Sequence, residues 1–279
     1  MNEIYKILET ILPYPWIEYN FMKNALIGVL IITPLFGILG TMIVNNQLAF
    51  FSEALGHSAL TGIGIGVILG IHDTNMSMII FAIIFAIFLN KIRRKRMIST
   101  DTIISVFSSF SSAIGLVILS RGGNFSKYSS LIVGDILSIT NTEIIYLVII
   151  FIVTIIFWCF CFNKLHAISL NEALARSKNI PVDLIDNIFV ILIAFIVMLS
   201  IKWVGILIIN ALLILPAASS RNLASNMREY HLFSILISLF SGILGLILSY
   251  YINTATGPTI VIIASIFFFI TLGVRKKVK

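Results

Sequence analysis

Charged side chains are scarce in this sequence. Asp, Glu, Lys and Arg make up only 11% of its 279 residues, whereas 59% are hydrophobic and the mean hydropathy is +1.07. A soluble domain carries about 25% charged residues, so this composition excludes a water-soluble globule. Because a membrane-spanning helix needs about 20 apolar residues, the chain has room for about eight to ten such helices. The sequence therefore predicts a polytopic membrane protein.

Cysteine and nucleotide-binding motifs are also rare or missing. The two cysteines, Cys159 and Cys161, lie in an apolar run and point to different sides of a helix, so we expect neither a disulfide nor a shared metal site. The sequence has no GxxxxGK motif followed by Ser or Thr. Its longest hydrophilic stretch, residues 163–183, is too short for a nucleotide-binding domain. Energy for this protein must come from an ion gradient or from a partner.

The positive charge of the chain indicates a membrane orientation. A net charge of +7 without a soluble basic face predicts no nucleic-acid partner, and instead indicates cytoplasmic anchoring and contact with membrane lipid. With the N-terminus outside, the predicted inner loops hold 14 of the 19 Lys and Arg residues and the outer segments hold 5. Because positive residues favour the cytoplasm, we expect the N-terminus outside and the C-terminus inside.

Nine apolar stretches are candidates for membrane spans. Six are long and uncharged: residues 25–44, 103–120, 144–162, 203–220, 232–252 and 258–274. Three are shorter or interrupted: residues 48–70, residues 76–89, and residues 184–201, which include Asp186. We expect an all-α bundle of about nine transmembrane helices, forming a single transmembrane domain over residues 1–279, with an interfacial N-terminal segment at residues 1–20.

Residues 48–70 hold the most informative side chains. Glu53 and His57 are four residues apart, so a helix places them on one face, and Thr61 continues that face. Ionisable residues inside a span are costly and usually face an interior cavity. A carboxylate oxygen and an imidazole nitrogen suit Zn, Mn or Fe. The spacing therefore indicates a candidate metal site.

Two ligands are too few for a structural zinc site but suffice for an ion in transit. A second copy of the chain, related by a two-fold axis, would supply two more. The same residues also fit a mutually satisfied polar pair, or a proton relay, because histidine titrates near neutrality. Close helix packing is expected at the glycines of this segment, Gly56, Gly62, Gly64 and Gly66.

Residues 163–183 predict a short cytoplasmic helix. Ser169 is expected to cap it, Glu172 stands three residues later as in a capping box, and Arg176 suits its C-terminal end. Asn179 can take the left-handed conformation that ends a helix, and Pro181 stops it. Such a helix suits docking to a partner, although an ordinary interfacial helix has the same features.

Five ordered elements of the chain resemble the permease subunits of zinc, manganese and iron ABC importers. Residues 53–62 (Glu-Ala-Leu-Gly-His-Ser-Ala-Leu-Thr-Gly) are similar to the family's Asp-Ala-Leu-Ser-His-Ala-x-Leu-x-Gly signature. The pair at 101–102 (Asp-Thr) opens a span as in that family, and residues 133–137 (Val-Gly-Asp-Ile-Leu) resemble its Phe-Gly-Asp-Leu-Leu element. Residues 202–218 resemble its Val-Gly-x-Leu-Leu…Leu-Leu-Ile-Ile-Pro-Ala-Ala block, and 257–258 its final Gly-Pro.

The resemblance implies a type II ABC importer permease fold and assigns residue roles. Glu53 and His57 occupy the positions of the family's metal-coordinating Asp and His, with one extra methylene on the acid. The implied ATPase-coupling residues are Glu172, Ala173, Ala175, Arg176 and Asn179, the last where the family usually has Gly. An outer gate is expected at Gly134 and Asp135, and further helix packing at Gly205, Pro216, Gly257 and Pro258.

By the same resemblance, the divalent metal ion is the transported substrate, and no tightly bound cofactor is expected. The implied partners are a separate ATP-binding cassette subunit, an extracytoplasmic metal-binding protein and a second permease subunit. The chain would be a multi-pass protein of the bacterial cytoplasmic membrane that does not itself hydrolyse ATP. Two alternatives remain open: a proton-coupled secondary metal transporter, and an ABC permease for metal chelates such as haem or siderophores.

Overall fold

The computed structural model describes residues 2–11, 14–71, 73–94, 100–121, 125–128 and 130–275, and this part of the chain is built from helices joined by short connections. The helices are α1 (Asn2–Ile11), α2 (Asn20–Asn45), α3 (Ala49–Ile68), α4 (Thr74–Arg93), α5 (Thr100–Arg121), α6 (Phe125–Tyr128), α7 (Ser130–Val133), α8 (Asn141–Leu170), α9 (Glu172–Ser177), α10 (Val182–Val204), α11 (Ile206–Leu223), α12 (Met227–Ile252) and α13 (Thr256–Arg275). Two 3₁₀ turns lie at Pro15–Glu18 and Ile136–Ser138.

Seven of the described helices are long and apolar enough to cross a membrane, namely α2, α4, α5, α8, α10, α12 and α13. They correspond to seven of the predicted spans. The other two predicted spans coincide with α3, which carries Glu53 and His57, and with the shorter α11. The all-α, multi-pass membrane architecture is thus confirmed, and the count of nine spans is approximate.

The connection after α8 differs from the prediction. α8 continues to Leu170, well beyond the predicted end of the span at residue 162. The prediction that Ser169 caps the next helix is wrong, because its hydroxyl donates to the carbonyl of His166 inside α8 at 2.8 Å. Asn171 caps α9 instead and accepts the backbone N–H of Leu174 at 3.1 Å. The loop is therefore shorter than expected and begins with a different cap.

Helix packing divides the chain into two compact units. The first comprises Met1–Thr41, Gly134–Ile156 and Ala211–Lys279, and the second comprises Met42–Val133 and Phe157–Asn210. The expectation of a single permease domain stays a prediction. The second unit contains α3 and α9, the two helices that carry the residues of interest.

In the first unit, polar contacts hold the N-terminal segment against α2 and α8. The buried Lys23 of α2 pairs with Glu9 of α1. The hydroxyl of Tyr5 contacts the side-chain oxygens of Asn24 and Asn141, the latter at 2.8 Å. In the turn after α1, Trp16 and Ile17 are buried. The segment predicted to be interfacial is therefore attached to the helix bundle of its own unit.

In the second unit, two of the cations that the sequence places on the cytoplasmic side form ion pairs. Arg93 and Arg94, at the end of α4, both pair with Asp186 of α10. These two arginines therefore have protein partners. Five other predicted inner cations, at 95, 96, 276, 277 and 279, lie outside the described residues. The orientation of the chain stays a prediction.

Candidate functional site

The chain encloses α3 on every side but one. From Phe51 to Gly64 each residue is buried except Glu53 and His57, whose side chains are 44% and 35% exposed. We call these two residues the open stripe. The most enclosed stretch of the helix is therefore open only where its two ionisable side chains lie.

The two side chains of the open stripe approach each other across one helical turn. Glu53 Oε1 lies 4.0 Å from His57 Nε2, beyond the about 2.7–3.2 Å of a hydrogen bond. The interpretation as a mutually satisfied pair is therefore weakened, and both groups keep lone pairs for a third atom. In the described part of the chain no three His, Cys, Asp or Glu side chains group closely enough to hold a metal ion. One chain thus places two side chains that could bind a metal ion at the open stripe.

Thr61 lies one turn further along α3 but does not extend the open stripe. It is buried, and its hydroxyl donates to the carbonyl of Ser111 in α5. The Ser111 hydroxyl in turn donates to Thr61 Oγ1 at 3.1 Å. This side chain therefore joins α3 to α5 and is closed to a ligand.

The glycines of α3 lie at contacts with neighbouring helices. Gly62 and Gly66 face α4, Gly64 faces α5 and Gly56 faces the first turn of α11. A Cβ at Gly62 would lie only 3.0 Å from the Cα of Met78. Small residues permit such approaches between helices. They close the sides of α3 that do not carry Glu53 and His57.

The other residues predicted to pack helices lie at helix ends or inside α11. Gly205 separates α10 from α11 with a φ of 91°, which favours glycine. Pro216 is buried within α11, and Gly257 and Pro258 are half-buried in the first turn of α13. Proline is tolerated there because the first-turn N–H groups have no helical partner.

α9 is a short capped helix, and its orientation separates the predicted coupling residues. Of its six residues only Ala175 is buried, whereas Ala173 is exposed. Asn179 ends the segment with a φ of 57°, the left-handed conformation that the sequence predicts. Ala173 therefore lies on the side of α9 that is open to a partner, and Ala175 on the side that packs inward.

An ion-pair network that the sequence prediction missed joins α9 to α10 and α4. Arg176 contacts Glu172 at 3.0 Å and Asp183 at 2.9 Å. Asp183 also contacts Arg94, and Arg94 contacts Asp186 at 2.7 Å. The available signal was Asp186 itself, because a carboxylate in an apolar helix requires a paired cation.

Gly134 and Asp135 introduce the second 3₁₀ turn. Gly134 has a φ of 71°, and the Asp135 carboxylate accepts the backbone N–H of Leu137 at 3.0 Å. These contacts fix the local shape of the segment. A role for these residues at an outer gate stays a prediction.

The sequence matches a known family of transport proteins over most of its length. A profile of the ABC 3 transport family matches residues 18–275. The chain is 30% identical over 264 residues to the high-affinity zinc uptake system membrane protein ZnuB of Haemophilus influenzae, covering 93% of this chain and 99% of that protein. It is 26% identical over 261 residues to the manganese import system permease protein ScaB of Streptococcus parasanguinis, covering 93% and 92%.

A solved structure supports the same relationship. The chain resembles PsaBC from Streptococcus pneumoniae, solved in complex with Fab, with a TM-score of 0.80 and 25% sequence identity over 97% of this chain and 95% of that chain. The resemblance inferred from the sequence motifs is thereby confirmed. The matched region runs from the start of α2 to the end of α13 and includes both the open stripe and α9. The chain belongs to the ABC 3 transport family.

Proposed function

We propose that this chain is the membrane permease subunit of an ATP-driven importer of divalent transition-metal ions, namely zinc, manganese or iron. The observation that carries this proposal is the open stripe, a carboxylate and an imidazole that are exposed within the otherwise buried stretch 51–64 of α3. Family membership and relatives named for zinc or manganese transport support it. Glutamate in place of the signature aspartate keeps the carboxylate oxygen that such ions bind.

The open stripe needs an opposing surface to surround a passing ion. A second permease subunit, related by a two-fold axis, would present the same two side chains. Together they would give four ligands of the types that zinc accepts in tetrahedral sites. Ligands divided between two subunits separate when the subunits move apart, and this suits a site that an ion must leave.

A separate ATP-binding cassette subunit would dock on α9 at the cytoplasmic side. The Glu172 and Arg176 pair stabilises this short helix across one turn. Exposed Ala173 and Leu174 supply the contact surface, buried Ala175 seats the helix on its own chain, and Asn179 fixes its end. Because the chain carries no nucleotide-binding motif of its own, ATP hydrolysis belongs to that partner.

The opposite end of the permease would receive the metal. With the N-terminus outside, Gly134 and Asp135 lie at the outer end, where an extracytoplasmic metal-binding protein would deliver the ion. Lys and Arg side chains at the inner end would contact anionic lipid of the bacterial cytoplasmic membrane.

Metal accumulation in cells that carry the complete transporter tests the open stripe. We expect Glu53→Gln and His57→Gln each to lower uptake of labelled zinc, manganese or iron at least about tenfold, because each removes a ligand. Glu53→Asp should retain uptake, since the carboxylate persists. His166→Gln, on α8, is the matched histidine control and should transport normally. Normal uptake by both Gln variants, at equal membrane expression, would exclude the open stripe from the metal path.

The energy source and the form of the cargo separate this proposal from its alternatives. Reconstituted transporter should import free metal only when its ATPase partner hydrolyses ATP. Import driven by a proton gradient without ATP would instead identify a secondary transporter. Import of haem or a siderophore in preference to the free ion would identify a chelate permease.

A further inference from the structure

The proposed function assigns a role to only one pair of the ion-pair network, that of Glu172 and Arg176 within α9. Its members lie at the end of α4, in the first turns of α10 and in α9, and they are Arg93, Arg94, Asp183, Asp186, Arg176 and Glu172. All six belong to the second unit. The network therefore joins the proposed docking helix to two membrane helices.

The side chains that meet at Asp186 are less exposed than those that meet at Arg176. The side chain of Asp186 is 6% exposed, and those of Arg93 and Arg94 are 14% and 21% exposed. Those of Arg176 and Asp183 are 49% and 59% exposed. Separating a buried pair leaves an uncompensated charge in apolar surroundings, whereas an exposed pair is easily replaced by water. The network thus has a fixed inner end and a releasable outer end.

The outer end fixes the direction of α9. Within α9 only Ala175 is buried, so apolar packing holds this helix weakly. Arg176 donates to Asp183 through both terminal guanidinium nitrogens, with Nη1 at 3.0 Å from Oδ2 and Nη2 at 2.9 Å from Oδ1. Such a bidentate pair of planar groups adds orientation to attraction. This contact spans the short connection at residues 178–181.

The inner end continues towards the helix of the open stripe. Arg93 donates to Asn90 Oδ1 at 2.8 Å, and Asn90 donates to Asn187 Oδ1 at 2.8 Å, so α4 and α10 are bonded together. α4 in turn is bonded to α3, because the Ser77 hydroxyl donates to the carbonyl of Gly62. Polar contacts at the two ends of α4 therefore connect α9 and α10 to α3, and the body of helix α4 itself joins these two ends.

We propose that Arg176 and Asp183 are positioning residues that couple α9 to α3. When the docked ATPase displaces α9, the Arg176 to Asp183 contact moves α10 and α4 with it, and α4 carries α3 and its open stripe. This inference rests on the proposed function, since it requires an ATPase on α9. Neither residue contacts the transported ion, and each acts through the other and through Arg94.

The test uses the transporter reconstituted with its ATPase, and it measures assembly, ATP hydrolysis and metal imported per ATP hydrolysed. Asp183→Asn and Arg176→Gln should each lower the imported metal per ATP about two- to fivefold, the ratio that an exposed ion pair can contribute, and should leave assembly intact. The double variant should be less impaired than the two single effects combined, because both substitutions remove the same Arg176 to Asp183 contact. Lys178→Gln, which changes an exposed cation outside the network, is the matched control and should keep the wild-type ratio.

Three results would overturn the inference. They are an unchanged ratio in both single variants, effects that add in the double variant, and a loss confined to ATPase assembly, which would make Arg176 a docking contact. Failure of the proposed function is separable, because the wild-type complex itself would then show no ATP-dependent metal import.

Discussion

Asp186 and Glu53 both lie within apolar helices of the second unit, and their surroundings are opposite. Asp186 of α10 is 6% exposed, and guanidinium groups of Arg93 and Arg94 donate to it at 2.8 and 2.7 Å. Glu53 of α3 is 44% exposed, and His57 Nε2 lies 4.0 Å away. Both residues interrupt predicted spans, but only the first has its charge compensated by direct hydrogen bonds from cations.

The difference separates a structural charge from one available to a ligand. A buried carboxylate that is fully paired holds helices together, and removing it leaves its cations unpaired. A half-exposed carboxylate beside an imidazole leaves acceptor sites unused and contributes little to packing. We therefore expect substitutions at Asp186 to affect folding and substitutions at Glu53 to affect transport.

Asp186→Ala carries the largest expected effect. It leaves Arg93 and Arg94 without their buried acceptor, so we expect a loss of about 3–5 kcal/mol in the free energy of unfolding. Thermal unfolding of the purified protein in detergent measures the change, and Glu53→Ala is the control that should unfold like the wild type. Equal destabilisation by both substitutions would remove the distinction between the two carboxylates.

Metal binding gives the next largest effect. A ligand that binds only the folded protein, and whose free concentration is about one hundred times its Kd, stabilises the protein by about 2.7 kcal/mol. Zinc or manganese should therefore raise the unfolding temperature of the purified transporter, and a chelator should reverse the rise. Glu53→Gln should abolish the shift and leave the metal-free temperature unchanged. An equal metal-induced rise in this variant would place the bound ion elsewhere.

Local geometry explains why the open stripe could be predicted in part from sequence. Residues four apart lie on one face of any α-helix, so the positions of Glu53 and His57 followed once α3 was recognised. Their exposure did not follow, because the packing of α4 and α5 decides which faces of α3 are closed. Thr61 shows this limit, since it shares the face in sequence but is covered by α5.

Tertiary contacts explain what the sequence left open elsewhere. A carboxylate in an apolar span, such as Asp186, predicts a paired cation. The cations that pair with Asp186 lie on α4, about 90 residues away along the chain, and the sequence does not identify them. The cap of α9 was misassigned because Ser169 and Asn171 are both good caps, and only the extent of α8 decides between them. Long-range packing and helix length were thus the missing information.

Close packing on the enclosed side of α3 gives a smaller effect. A Cβ at Gly115 of α5 would lie 2.5 Å from the backbone nitrogen of Thr61, so Gly115→Ala must shift α3 or α5. We expect a loss of about 1–3 kcal/mol, measured by thermal unfolding. Gly273→Ala is the matched control, because a Cβ there meets no atom within 4 Å. A neutral Gly115→Ala would show that α3 is not held as tightly as the open stripe requires.

The smallest loss of stability is expected for a substitution at Asp183, one helical turn from Asp186 on α10. Asp183 and Asp186 both lie on α10 and both contact Arg94, but the Asp183 side chain is 59% exposed whereas that of Asp186 is 6% exposed. Because water replaces the contacts of an exposed pair, Asp183→Asn should cost no more than about 1 kcal/mol, whereas Asp186→Asn should cost several times that. Unfolding temperatures of the two variants, measured side by side, compare the same chemical change on the same helix. Equal losses would mean that pairing with Arg94, and not burial, determines how much each carboxylate contributes to the fold.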